Sequence, residues 1–532
     1  MSRYLNIQIF TILYLLPWCF VAVLVSGNDV VDDPGFDMFF QTNTEEMQDV
    51  PIYFEKPLPT WLRGSLIRNG LGRFGLGKHN FTHAFDAFGK LSSWKFPGNG
   101  SAYFTTKFLQ SDFYTKSIAS NDIVPYLMFE SVTPPFNEFQ KLEALARGID
   151  NMNVNIVRFT NGNSGNFEYV TLNDFWKIYE VEPLSLSTKK SITAGIPHMK
   201  HLTRSAGFLS LLSSAHPLPE HATNNHVTFL SSVSLIPGIK SKITLVRIKS
   251  ADDREAIAEW EVDKVPYMHS FSLTKKFAIL FAAPFYINVP KMLRYAEPFD
   301  SLDWFENLPT AVYVVDLTNG HVKTLKTDNV FTMHHINAFE NGNSDIVVDI
   351  SSYPSPAFVK NLEMATLRDP VKRNQFDTHA LLKRYHINVN TSKISVELFK
   401  APKDIPFASN IDMTTINENY RYKQYCFVYG VVLKKDNIKL SHIALVKKDL
   451  CGKGEDAYWY ISTHYPVEAW FVPTPGGDNE DDGILMTPVL DGDKKTSYLA
   501  MIDAKTMKLI NKAYLPTAVP FNLHGRFFSD LF

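Results

Sequence analysis

Beyond the first fifty residues, apolar positions come in short runs, and the three-to-four-residue spacing of helices is scarce. One pattern recurs: an apolar strand, an Asp, Asn or Glu opening a turn, then a second strand. It is clear at Ala311–Asp316, Leu499–Asp503, Tyr385–Asn388 and Val181–Glu182, and looser at Val246–Asp252, Ala444–Asp449 and Phe85–Lys90. The polar side chain bonds the turn backbone, which explains the residue choice. The seven hairpins centre near 86, 182, 251, 316, 388, 449 and 503. That spacing predicts an all-β chain of repeated four-stranded units closing into a seven-bladed β-propeller, although two packed sandwiches also give many hairpins. Three insertions rich in Phe, Leu or Met, at 113–149, 198–212 and 284–308, are expected to cap one face as helical or irregular segments.

The start of the chain reads differently. Arg3 precedes an apolar run from Ile7 to Val25, followed by Ser26-Gly27 and then an acidic stretch from Asn28. A basic start, an apolar centre and small residues at the end predict a signal peptide over 1–27, with an uncleaved anchor as the alternative. Residues 28–50 then form an acidic N-terminal arm, and 51–532 a single propeller domain. Either reading places the folded part in the secretory pathway, lumenal or secreted. Sequons at Asn80, Asn99 and Asn390 agree with glycosylation. Lys+Arg 53 against Asp+Glu 55 leaves a net charge of -2, which argues against a nucleic-acid partner. Three Cys exclude a disulfide scaffold and a four-cysteine zinc module. Of these, Cys426 and Cys451 flank paired strands, and either a bridge or two buried thiols fits.

Four of the 16 His stand in local contexts that suit metal binding: His216, His269, His335 (beside His334) and His524. Their separations match no local metal motif, but inner strands of a propeller would aim them at one axis, where neutral imidazoles suit Fe, Cu, Ni or Zn.

From about Phe54 to Phe527 the chain resembles the carotenoid cleavage oxygenases. The matches run in order: Leu62–Gly70, His83–Asp86, Asp150–Asn155, Ala215–Pro217, His269–Thr274, His334–Asn337, Glu480–Gly483 and His524–Gly525. The resemblance implies a seven-bladed propeller with helical caps and Fe(2+) on His216, His269, His335 and His524, His334 being wall or support. It also implies three acids accepting hydrogen bonds from those imidazoles. Glu468 and Asp412 fill two of these places. Where the family has Thr-Glu, this chain reads Thr171-Leu172; Asp174 lies on the same strand face. A missing acid there predicts a poorly restrained His216. Ala87 also replaces a glycine of the family pattern.

The implied reaction is the iron-dependent dioxygenase cleavage of a carotenoid or apocarotenoid double bond by O2 to aldehydes such as retinal. A retinoid isomerase or isomero-oxygenase and a non-catalytic secreted carotenoid or lipid carrier are the alternatives. Substrate-tunnel candidates are Thr171, Phe285, Tyr286, Met292, Leu293, Trp304 and Phe305. The insertion at 284–308 resembles a membrane-touching entrance, so peripheral membrane contact is expected.

Overall fold

The computed structural model describes residues 33–532 except 163, 197–207, 235, 289, 292–300, 343, 376–379, 401, 403–409 and 434–439. The proposed signal peptide, Met292 and Leu293 therefore lie outside the described residues, as does most of the insertion at 198–212.

Seven antiparallel sheets of four or five strands follow one another along the chain. The first runs outward from Asn155–Thr160 to Thr188–Ile192, and the next five follow in sequence as far as Leu509–Tyr514. The seventh is built from both ends of the described chain. Strand Asn522–Phe528 pairs with Gly64–Arg73, then come Phe88–Phe96, Ala102–Phe108 and Met47–Ile52. Closure of this kind leaves a ring without a free inner edge.

Six of the seven expected hairpins join the last strands of consecutive sheets. Their polar residues act as anticipated: Asp316 Oδ1 accepts from Thr318 N at 2.8 Å, Asn388 Oδ1 from Thr391 N at 2.7 Å and Asp503 Oδ1 from Thr506 N at 2.8 Å. The hairpin placed near residue 86 is a correction. The equivalent turn of the seventh sheet is 97–101, between Phe88–Phe96 and Ala102–Phe108. Asp86 ends a short 3-10 turn and accepts instead from Phe129 N and, at 2.9 Å, from Glu130 N. It ties a loop of the cap to the ring.

The acidic arm is not a separate tail from Asp33 onward. Phe36, Phe39 and Phe40 are buried against Tyr465 and Phe521, and Met47–Ile52 is an edge strand of the seventh sheet. The insertion at 113–149 carries two helices, α1 (Asp112–Ser120) and α2 (Glu138–Arg147). Helix α2 starts at a capping box in which Asn137 and Gln140 exchange side-chain bonds to each other's backbone N–H, both 3.0 Å. In the insertion at 284–308, Phe285–Ile287 pairs with Leu302–Trp304. Cys426 and Cys451 form a disulfide across a Cα separation of 5.1 Å. Among the described residues, no helix is long and apolar enough to cross a membrane.

Candidate metal centre and its two cavities

Four imidazoles meet where the inner ends of the sheets converge: His216, His269, His334 and His524, with one nitrogen from each lying within 4.8 Å of the others. His216 Nε2 is 3.0 Å from His269 Nε2, and His334 Nε2 is 3.2 Å from His524 Nε2. Two nitrogens each about 2.1 Å from one ion at right angles stand about 3.0 Å apart, so the set fits a single transition-metal ion.

Short side-chain links between neighbouring sheets set these positions. Asn155 Nδ2 donates to Ala215 O at 2.8 Å, beside His216. Ser214 Oγ donates to His269 O at 2.7 Å and accepts from His216 N at 3.0 Å. Ser270 Oγ donates to Met333 O at 2.6 Å, the residue before His334. His524 N donates to Val154 O at 3.2 Å. The two Ser links tie the backbone beside His216, His269 and His334 in turn, while Val154 and Asn155 at the start of the first sheet hold the His524 backbone and the residue before His216.

The expected ligand His335 is not in the cluster; its neighbour His334 is. Successive residues of a strand face opposite ways, so only one of the two adjacent His can reach the axis. Strand Phe331–Asn341 has register shifts on both sides of His335, which a count of alternating positions does not reveal. His335 Nδ1 instead pairs with Ser272 Oγ at 2.8 Å, and its ring packs on Phe281.

Three rings hold a carboxylate on Nδ1: His269 with Asp174 at 2.6 Å, His334 with Asp412 at 2.7 Å and His524 with Glu468 at 2.8 Å. Asp412 and Glu468 thus take the expected places. The third is Asp174, and it serves His269 rather than His216. Its other contacts are the Tyr267 hydroxyl at 2.9 Å and Ala215 N at 3.2 Å, so one carboxylate orients one ligand and holds the segment of another. Leu172 is 3% exposed, packed between the first two sheets with Val157, Phe159 and Val170, and does not face the cluster. The third acid is therefore present, in Asp174, rather than missing at Leu172. Among the described residues His216 pairs with no carboxylate, yet its backbone is fixed by Ser214.

Arg68, 0% exposed and part of the Leu62–Gly70 motif, braces Glu468 at 2.9 Å and donates to Leu523 O at 3.1 Å, a role its motif does not signal. Burial works against the Glu468 charge, but His524 and Arg68 outweigh it and hold the carboxyl below its ordinary range. Asp412 behaves likewise: burial opposes its charge, and His334 and the Tyr353 hydroxyl win. Burial and the neighbouring His524 drive His216 well below the usual imidazole value, and burial takes His524 to about 4. For His216 and His524 this favours the neutral form that a metal requires, whereas at His334 burial is outweighed by Asp412 and the value of the ring is raised.

The cluster separates two cavities. The larger, about 260 Å³, reaches His269, His334 and His524 from the capped side and is walled by rings such as Phe85, Phe129, Phe175, Tyr267, Tyr353 and Phe358. The smaller, about 90 Å³, lies on the other side of the four rings, along the axis. None of the described tunnel candidates lines the larger space. Phe285 (4% exposed) and Trp304 pack behind it with Tyr267 and Phe331. Tyr286 and Phe305 lie under Lys264 Nζ, and Thr171 is buried in the first sheet, bonded to Tyr179 O. The true walls come from loops far apart in sequence, including Phe36 and Phe40 of the N-terminal segment.

A family model described as retinal pigment epithelial membrane protein matches residues 39–529. The human beta,beta-carotene 15,15'-dioxygenase is 24% identical, the alignment covering 93% of this chain and 95% of that protein. The mitochondrial carotenoid-cleaving dioxygenase of Macaca fascicularis is 26% identical, covering 88% of this chain and 90% of that protein. Among solved structures, cobalt-substituted Synechocystis apocarotenoid oxygenase superposes with a TM-score of 0.76 at 22% identity, over 93% of this chain and 98% of that one.

Proposed function

Because the chain belongs to the retinal pigment epithelial membrane protein family, a family that includes carotenoid-cleaving dioxygenases, we propose that it is an iron(II)-dependent dioxygenase. In this reading it cleaves a conjugated double bond of a carotenoid or apocarotenoid to aldehydes such as retinal. The observation that carries this is the placement of four convergent imidazoles, three anchored by carboxylates, at the inner end of an aromatic cavity. His216, His269, His334 and His524 would hold the iron. Bound there, Fe(2+) supplies the reactivity toward O2 that a closed-shell polyene lacks. The chain's own residues do the rest. Asp174, Asp412 and Glu468 keep each ligand proton on Nδ1, so that Nε2 is free to donate. Tyr267 and Tyr353 spend their hydroxyls on two of those acids and present ring faces to the cavity. A polyene has no hydrogen-bonding groups along its length, so packing on rings positions it. The same walls exclude water from the reacting bond.

With Asp174 on His269, three carboxylates support the cluster, which counts against a non-catalytic carrier. Incubation of iron-loaded protein with β-carotene and apocarotenals under labelled O2, followed by chromatography, tests the reading. Two aldehydes per cleaved bond are expected; bound pigment with no products overturns it.

The same reading places the protein in the secretory pathway. The Cys426–Cys451 bridge supports an oxidising compartment. Asn80, Asn99 and Asn390 all lie on the surface, open to glycosylation. Membrane contact is better supported at α2 than at 284–308: Phe139 is 85% and Leu142 64% exposed, beside Lys141 and Arg147. Loss of liposome binding on Phe139→Ser with Leu142→Ser is expected. Expression with the native N-terminus is expected to give a glycosidase-sensitive protein starting near Asn28.

A further inference from the structure

The axial cavity has a different chemistry from the aromatic one. Its walls carry Glu418, Arg421, Arg526, His335, Asn155 and Trp470, with His216, His334 and His524 at one end. Glu418 and Arg421 satisfy each other as a fork-shaped pair. Glu468, which also borders the space, is committed to His524 and Arg68. Arg526 is left over. Its guanidinium lies 5.5 Å from the Trp470 ring, and among the described residues no carboxylate stands within salt-bridge distance of it. The buried side-chain atoms lining this cavity that lack a partner are Arg526 Nε and His335 Nε2. The first is a donor by its chemistry. The second is a donor whenever the Ser272 hydroxyl gives its proton to Nδ1, 2.8 Å away.

Arg526 is half-buried with no carboxylate in direct contact among the described residues, and two buried nitrogens without partners around one small space call for an acceptor. Water would meet the donors but not the charge. We propose that the axial cavity binds a small monoanion of chloride, bicarbonate or formate size, held by Arg526 Nε with His335 Nε2 as the second donor. About 90 Å³ leaves room for such an ion. The anion site lies behind the metal cluster, apart from the aromatic cavity, and does not depend on the identity of the polyene. Its occupant offsets the Arg526 charge beside the metal, so anion and metal binding are expected to reinforce each other.

The test uses metal-loaded full-length protein prepared in gluconate as the bulky reference anion. Chloride, bromide, bicarbonate and formate are added in turn at constant ionic strength while the thermal midpoint is followed. A saturable rise is expected, as for any ligand that binds only the folded state. Arg526→Gln is expected to weaken the response at least tenfold. Crystals soaked in bromide are expected to show anomalous density beside Arg526 Nε. A non-saturating response, an equal response in Arg526→Gln, or bromide on the metal instead of at Arg526 would overturn the proposal. If Arg526→Gln does not fold, the position of bromide in the wild-type protein decides. No readout involves cleavage, so failure here is distinct from failure of the dioxygenase reading.

Discussion

The two sides of the histidine cluster solve opposite problems with the same scaffold. On the capped side the walls are mostly rings and aliphatic side chains, and most of the polar groups among them are engaged elsewhere: the Tyr267 and Tyr353 hydroxyls on Asp174 and Asp412, and the Asn151, Asn153 and Asn173 amides on backbone carbonyls. On the axial side the walls are charged, and Arg526 and His335 keep unmet donors. A ring of sheets makes this separation easy. Each inner strand alternates, so of two adjacent histidines His334 joins the cluster between the cavities while His335 borders the axial one alone. The metal site is best seen as a partition, greasy on one side and polar on the other.

The strongest way to break that picture is to exchange the two adjacent histidines. His334→Ala is expected to abolish stoichiometric metal binding and with it all turnover, whereas His335→Ala keeps the metal; metal content per protein decides. Equal losses in both would mean that the strand register is wrong. Next in size is the brace of the partition. Arg68→Met leaves the Glu468 carboxylate buried without its cation, a change expected to cost about 3–5 kcal/mol of stability by denaturant unfolding. Asp174→Ala comes third. It frees His269 Nδ1 and is expected to lower metal affinity or turnover by about 10–100-fold. Leu172→Glu is expected to bring no gain in either and to destabilise the protein by about 1–3 kcal/mol, since it buries a carboxylate among aliphatic side chains.

The smallest effect is on pH dependence. Burial lowers His83 to about 4, and His226 and His335 to about 3. Between about pH 4 and 6.5 the unfolded chain holds protons on these rings that the fold sheds, so stability falls on acidification through that window. Asp86, pushed up to about 7 by burial, works in the other direction: there the fold holds a proton that the unfolded chain has lost. His83 and Asp86, both at the capped side, therefore offset each other over most of the window. His335, on the axial side, has no such counterweight. His335→Ala is expected to reduce the slope of stability against pH by up to one proton, about 1.4 kcal/mol per pH unit, as measured by denaturant melts from pH 4 to 7.

How much of this was legible in the sequence follows from how local each feature is. The hairpins were legible because Asp316, Asn388 and Asp503 act on backbone two or three residues away. The exception, Phe85-Asp86, has the same letters but spends its carboxylate on a loop more than forty residues on. Three of the four clustered His were legible from ordered motifs. The fourth turned on a strand irregularity of one residue, which a motif containing His-His cannot resolve. Asp174 was legible as a candidate but not as the partner of His269, because that pairing joins different sheets. The cavity walls were the least legible. Phe36, Phe129 and Phe358 come together only in three dimensions, and their sequence contexts look like any other apolar run.

The pairing of Asn522–Phe528 with Gly64–Arg73 has a consequence for biosynthesis. His216, His269 and His334 leave the ribosome long before His524, which arrives on the strand that joins the two ends of the ring. A nascent chain therefore holds three of the four imidazoles on an open scaffold, with neither the last ligand nor the Glu468–His524 contact in place. Stable capture of the ion is reserved for chains translated through that strand. A chain ending before Asn522 would lack both the strand that closes the ring and the fourth imidazole of the cluster.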